Sequence, residues 1–324
     1  MKRIANIITS LGMLAAIFLP GAASALTYSP PAFDLIADPG QTLNQAVKVY
    51  NESAEAITIE ARAVNFKGKD GDETSGVPEF LPADSPSDGH ELAPWISFLV
   101  PSVTVAPGEN GRIPFQIRVP SDASPGSHFG AVVRTTMAPG GQPGVGVLGN
   151  SASLVLLRVN GDVKEELRLT SFTAMPMVGD SLPVRFAARL ENHGNVHERP
   201  YGEVIIRNMF GRTVATLPMN RADNKSVLPN AARRLETDWV GRPLPGKASR
   251  LARQWRNFAI GPYTAELSLQ HGTQQKITAT AGFWVIPWLA LSVMLIGGLI
   301  LAMLVRSLLR WHRKRVIAQL DMKE

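Results

Sequence analysis

The chain is predicted to be all-β: two tandem immunoglobulin-like antiparallel sandwiches followed by one C-terminal transmembrane helix. Three observations carry this. Turn residues are plentiful, with 28 Gly and 24 Pro in 324 residues, which suits many short strands better than helices. Apolar residues alternate in short runs, the period of a half-buried strand. One long uncharged apolar run stands near the C-terminus, from Val285 to Val305.

The elements follow in order. Lys2 and Arg3 precede an apolar run from Ile4 to Leu19, and Ala23-Ser24-Ala25 has the small-x-small form of a cleavage site. Residues 1–25 are therefore expected to be a secretory signal. A first sandwich is expected over 26–160. Its strands are Leu43–Tyr50, opened by the Pro39-Gly40 turn, then Ala56–Phe66 with Ile57, Ile59, Ala61 and Ala63 on one face. WISFLV, VAPGENGRIPFQIRVP, GSHFGAVVRTTM and Ser153–Val159 complete it. The acidic, proline-bearing stretch Lys67–Ala93 has no periodicity and is expected to be a solvated loop.

A second sandwich is expected over 161–284. Its strands are Val163–Thr173, Leu182–Glu191, Gly202–Asn208, Thr213–Leu217, Ala232–Val240, Pro262–Gln270 and Gln275–Trp284. Seven short strands with turns every 8–12 residues fit an immunoglobulin-type sandwich. No strict period marks an internal repeat. The run 285–305 is long enough to cross a bilayer. Trp284 and Trp288 at one end, and Trp311 at the other, suit the headgroup level. The basic tail 306–324 would be cytoplasmic by the positive-inside rule, leaving the preceding domains exported at the cell membrane.

Charge sharpens this topology. Of the 33 Lys and Arg, two precede position 26 and six follow position 305; of the 27 acids, two follow position 305. The intervening part is formally neutral, so the net charge of +6 is no footprint for nucleic acid. With no cysteine, thiol catalysis, thiolate metal sites and disulfides are excluded.

PGQTLNQAVKVYNESAEAITIEARAVNF, PWISFLVPSVTVAPGENGRIPFQIRVP and SDASPGSHFGAVV resemble the N-terminal domain of the bacterial WxL-interacting surface proteins. They share a looser likeness with the pilus-chaperone type of immunoglobulin sandwich. The first resemblance implies a non-enzymatic, membrane-anchored surface protein. Its first domain would contact peptidoglycan, and its second another surface protein. The alternative is a chaperone-like assembly factor for exported surface or fimbrial subunits.

Four stretches carry candidate chemistry. Gly144–Gly149 matches G-x-G-x-x-G, but a strand rather than a helix leaves it, so a hairpin loop is expected. Asp70-Gly71-Asp72-Glu73 lacks the alternating ligands of a calcium loop. Arg242, Lys247, Arg250, Arg253 and Arg256, with Trp255, form an acid-free basic loop. The last strand leads into the membrane, so this loop lies at the membrane end, where each base is worth about 1 kcal/mol at an anionic surface. Finally, His193, His197 and His271 lie on loops expected to be neighbours near the domain junction. Three imidazoles could bind zinc. The plainer reading of Asn192, Gly194, Asn195, His197, Pro200 and Gly202 is a built turn, with asparagine hydrogen bonds, a positive φ at Gly194 and a proline stop. No catalytic residue, cofactor or metal is expected.

Overall fold

A computed structural model describes residues 26–69, 77–82, 85, 89–137, 147–243, 246, 249–273 and 275–320. The signal expectation, the acidic cluster at 70–73, Gly144–Gly146 and Lys247 lie outside the described residues. The described chain forms two compact units, the first ending at Lys164 and the second beginning at Glu165. Both are antiparallel immunoglobulin-like sandwiches, and a C-terminal helix follows the second.

In the first unit the strands are β1 (Leu26–Ser29), β2 (Ala32–Ala37), β3 (Thr42–Asn51), β4 (Ile57–Gly68), β5 (Pro78–Phe80), β6 (Ile96–Phe98), β7 (Ser102–Val105), β8 (Asn110–Arg118), β9 (Gly126–Met137) and β10 (Val147–Val159). One sheet runs β1-β3-β8-β6 and the other β2-β10-β9-β4-β5, with β7 also pairing β4. Val47, Ile113, Phe115 and Ile117 of one sheet pack on Ile57, Ile59, Val155 and Leu157 of the other. Alternation along β4 buries Ile57, Ile59 and Ala61 as expected. Lys67–Ala93 is not wholly a solvated loop. Phe80 of β5 pairs with Phe66, and Leu92 is fully buried.

The second unit holds β11 (Leu167–Met175), β12 (Val178–Gly179), β13 (Val184–Asn192), β14 (Tyr201–Asn208), β15 (Thr213–Met219), β16 (Ala232–Trp239), β17 (Gly261–His271) and β18 (Gln275–Val285). Its sheets run β11-β13-β16 and β12-β18-β17-β14-β15. Phe186, Tyr263 and Phe283 form the aromatic centre of its core, with Phe186 and Phe283 edge to face, their centroids 5.4 Å apart. The expected basic loop contains a helix, α1 (Arg250–Arg256), whose Ser249 side chain accepts from Ala252 N–H at 3.2 Å. The second helix, α2 (Trp288–Leu320), contains a segment from Trp288 to His312 long and apolar enough to cross a membrane.

The two units are built alike. In each, the first strand pairs antiparallel within one sheet, and after a proline a second segment pairs parallel with the last strand of the other. These are β1 and β2 around Pro30, and β11 and β12 around Pro176. Proline has no N–H to give a ladder, so pairing stops there and the chain can change sheets.

The likeness extends to single atoms. Asn51 ends β3, and its Nδ2 donates to the carbonyls of Glu55 (2.8 Å) and Val105 (3.0 Å) while Oδ1 accepts from Ser53 N–H (3.0 Å). Asn192 ends β13, and its Nδ2 donates to Val196 (2.7 Å) and Val227 (3.0 Å) while Oδ1 accepts from Gly194 N–H (2.9 Å). Val105-Ala-Pro-Gly108 and Val227-Leu-Pro-Asn230 form the facing turns. Gly108 and Asn230 both take positive φ and donate to the asparagine carbonyls.

Candidate functional site

The histidine loop is decided by this equivalence. Asn192 is buried and saturates its own turn. Gly194 is not among the residues with positive φ, contrary to expectation. It serves as an N–H donor, a task Ser53 performs in the first unit. His193 is exposed, its Nε2 3.7 Å from Glu191, while Asn195 and His197 are half-buried. Pro200 is buried, and its carbonyl accepts from Asn220 Nδ2 at 2.7 Å. Gly202 is required by crowding, since a Cβ there would lie 1.9 Å from the Ser268 carbonyl oxygen.

His271, on β17, turns inward. Its Nδ1 donates to Glu198 Oε2 at 2.5 Å, and both side chains are only 2% exposed. Glu198 is the sixth residue after Asn192 and bridges Val227. The sixth residue after Asn51 is the buried Ile57, which pairs Val105. A carboxylate–imidazole pair thus stands where the sister unit uses an aliphatic side chain. The three imidazoles do not converge: among the described residues no group of three or more His, Cys, Asp or Glu could hold a metal ion.

A different feature emerges in the first unit. Strand β10 pairs with β9 along its whole length, but β2 covers its other edge only from Leu154 to Val159. Among the described residues nothing pairs with the edge from Val147 to Ser153. Leu154 N–H donates to the Pro31 carbonyl across that edge at 3.1 Å. By the two-residue period of a strand, the main-chain groups of Ala152 and Asn150 point to the same, open side.

The open half of β10 is braced from within. Arg134, on β9 and 1% exposed, donates from Nε to Ser151 Oγ (3.1 Å) and from Nη1 to Ser153 Oγ (2.8 Å). Its guanidinium lies 4.2 Å from the Tyr28 ring centroid, a cation–π contact. Burial lowers the Arg134 pKa to about 10, which still leaves it charged at neutral pH. On the outer face, Arg62, Val133 and Ala152 stand side by side across β4, β9 and β10. They floor a hollow of about 660 Å³ whose lining also includes Val64, Phe80, Leu81 and Pro94. The sequence held one sign of this: Ser151 and Ser153 alternate with the apolar Ala152 and Leu154.

At the other candidate region, in the second unit, α1 is tied to the start of α2. Gln254 is buried, its Oε1 accepting from Ala290 N–H at 3.0 Å and its Nε2 donating to Asp180 Oδ2 at 3.3 Å. Arg250 Nε is paired with Asp180 at 2.7 Å. Asn257 Oδ1 accepts from Arg242 N–H at 2.7 Å. Arg242, Arg253, Trp255 and Arg256 are exposed, as are Trp284, Trp288 and Trp311.

No family model matches the chain, and no curated protein sequence does, so the likeness to the WxL-interacting family gains no support there. Solved structures of fimbrial chaperones are similar to it. The class 5 fimbriae chaperone CfaA is 12% identical with a TM-score of 0.38, covering 79% of this chain and 99% of that one. The Salmonella enterica SafB chaperone complex with SafA pilin is 11% identical, with a TM-score of 0.36 and coverage of 82% and 99%. The E. coli chaperone DraB is 10% identical, with a TM-score of 0.35 and coverage of 79% and 98%.

Proposed function

We propose that the chain is a non-enzymatic, membrane-anchored binding protein. It holds an extended segment of another exported polypeptide on the open edge of β10, while α2 anchors it in the membrane. The observation that carries this is the half-strand Val147–Ser153, whose edge away from β9 pairs with nothing among the described residues; it is braced by buried Arg134 and bordered by a hollow. A strand added there gains main-chain hydrogen bonds from Asn150 and Ala152, and its alternate side chains reach the hollow beside Val133. An edge of this kind recognises polypeptide rather than glycan. It therefore favours the assembly-factor role over attachment to peptidoglycan.

A photo-crosslinking amino acid at Asn150 of the full chain, in cells that express it naturally, tests the reading. Ala152→Pro removes one outward donor and leaves the β9 ladder intact, since proline is tolerated at sheet edges. Adducts at position 150 that disappear with Ala152→Pro are expected. Adducts unchanged by the proline, or none at all, would sink the proposal. Rapid release of the captured segment identifies an assembly factor; a lasting adduct-competent complex identifies a scaffold.

A further inference from the structure

We infer that the α2-proximal end of the second sandwich is itself seated in the membrane interface, contacting lipid through a rigid turn and a short amphipathic helix. The geometry begins with α2. Only 6% of its most apolar window is buried, so it is not the core helix of a globular domain. Strand β18 ends at Val285 and α2 starts at Trp288, a gap of at most about 10 Å of extended chain. The joint is held at both sides, by Ile286 N–H to the Gly179 carbonyl (2.8 Å) and by Ala290 N–H to Gln254 Oε1 (3.0 Å). Wherever α2 enters a bilayer, this end of the sandwich meets the headgroups.

That end is dressed for the meeting. The β14–β15 turn lies there, because Asn208 pairs with Tyr263 near the start of β17 while Gly261 pairs with Val285. Asn208 Oδ1 locks the turn by accepting from the N–H groups of Phe210 (3.1 Å) and Arg212 (3.0 Å). The locked turn displays Phe210 at 83% exposure and Met209 at 51%. Exposed apolar side chains grouped in this way mark an interaction surface. Beside it, Leu251 and Trp255 stand four residues apart on one exposed face of α1, with Phe258 following. Arg256 lies on another side of α1, and both it and Arg242 are exposed. An apolar face with cationic flanks is the composition of an interfacial helix at an anionic surface.

The absence of cysteine allows a clean test on the full chain. Phe210→Cys and Ala222→Cys are each labelled with an environment-sensitive fluorophore. Ala222 lies on the β15–β16 connection at the opposite end of the same unit, roughly 20 Å away along the strands. Both proteins are reconstituted in phosphatidylcholine vesicles, with and without phosphatidylglycerol, containing a lipid with a nitroxide at the headgroup or shallow acyl chain. Several-fold stronger quenching at position 210 than at 222 is expected, rising with phosphatidylglycerol. Arg242→Glu with Arg256→Glu should abolish that rise. Equal quenching at 210 and 222 would overturn lipid seating, and a rise that survives the charge reversals would overturn the role of the arginines. Neither result bears on the β10 edge.

Discussion

Removing His271 should damage the second unit far more than removing the whole Glu198–His271 pair. His271→Leu leaves the Glu198 carboxylate, 2% exposed, without its imidazole at 2.5 Å. Losing one hydrogen bond to a buried carboxylate costs about 1.5–3 kcal/mol. Glu198→Ile alone leaves the imidazole without its acceptor and should cost less, about 1–3 kcal/mol for an unsatisfied neutral polar group. The double variant removes both polar groups. It also restores what the first unit does at the equivalent place, where Ile57 is buried, and replacement of buried pairs by apolar residues is often close to neutral. The sum of the single losses should therefore exceed the double loss by about 3 kcal/mol or more. Urea denaturation of the detergent-solubilised full chain, read by hydrogen exchange in β14 and β17 peptides, measures all three. If His271→Leu costs no more than the roughly 1 kcal/mol of a surface pair, the carboxylate is not held as a buried charge and the reasoning fails.

Other expectations are simpler. Gly202→Ala should cost more than about 3 kcal/mol, because its Cβ would collide with the Ser268 carbonyl at 1.9 Å. Gly282→Ala, with nothing within 4 Å of its Cβ, should stay within about 0.5 kcal/mol; thermal unfolding compares the two. Asn192→Ala and Asn51→Ala each remove three hydrogen bonds to main-chain groups. Each should cost about 3 kcal/mol and expose its own unit to proteolysis; equal damage to the other unit would contradict the separate turns. Burial lowers the pKa of His128 from 6.5, with a backbone hydrogen bond to Ser124 opposing the shift. The unfolded chain therefore takes up this proton first as pH falls. Stability of the first unit should drop as pH goes below 6.5 and through the folded-state value, and His128→Gln should flatten that slope in pH-dependent melts.

Much of the fold was legible because strands that bury one face must alternate. The seven strands read from residues 163–284 correspond, with ends shifted by a few residues, to β11 and β13–β18. What escaped was short or aperiodic. Strands β5 and β12 have three and two residues, too few to show a period. Helix α1 could have been found, since Ser249 is a favourable cap and Leu251, Ala252, Arg253 and Gln254 are good helix formers. In the histidine loop, Asn192 hydrogen-bonds its own turn, and Gly194 does not take the positive φ expected of it. Asn51 is likewise a buried turn anchor.

By itself the sequence determined the all-β class, the strand positions in the second unit and the apolar C-terminal helix. Each rests on local periodicity or a continuous apolar run. Only the tertiary structure showed that Asn51 and Asn192 do the same work. Their bonds go mainly to main-chain atoms, and distant residues of any identity can supply those. Nor could the sequence show that β2 covers half of β10, that His271 faces Glu198, or that Phe210 stands beside the root of α2. Each depends on which strands become neighbours, and that choice is made by long-range pairing.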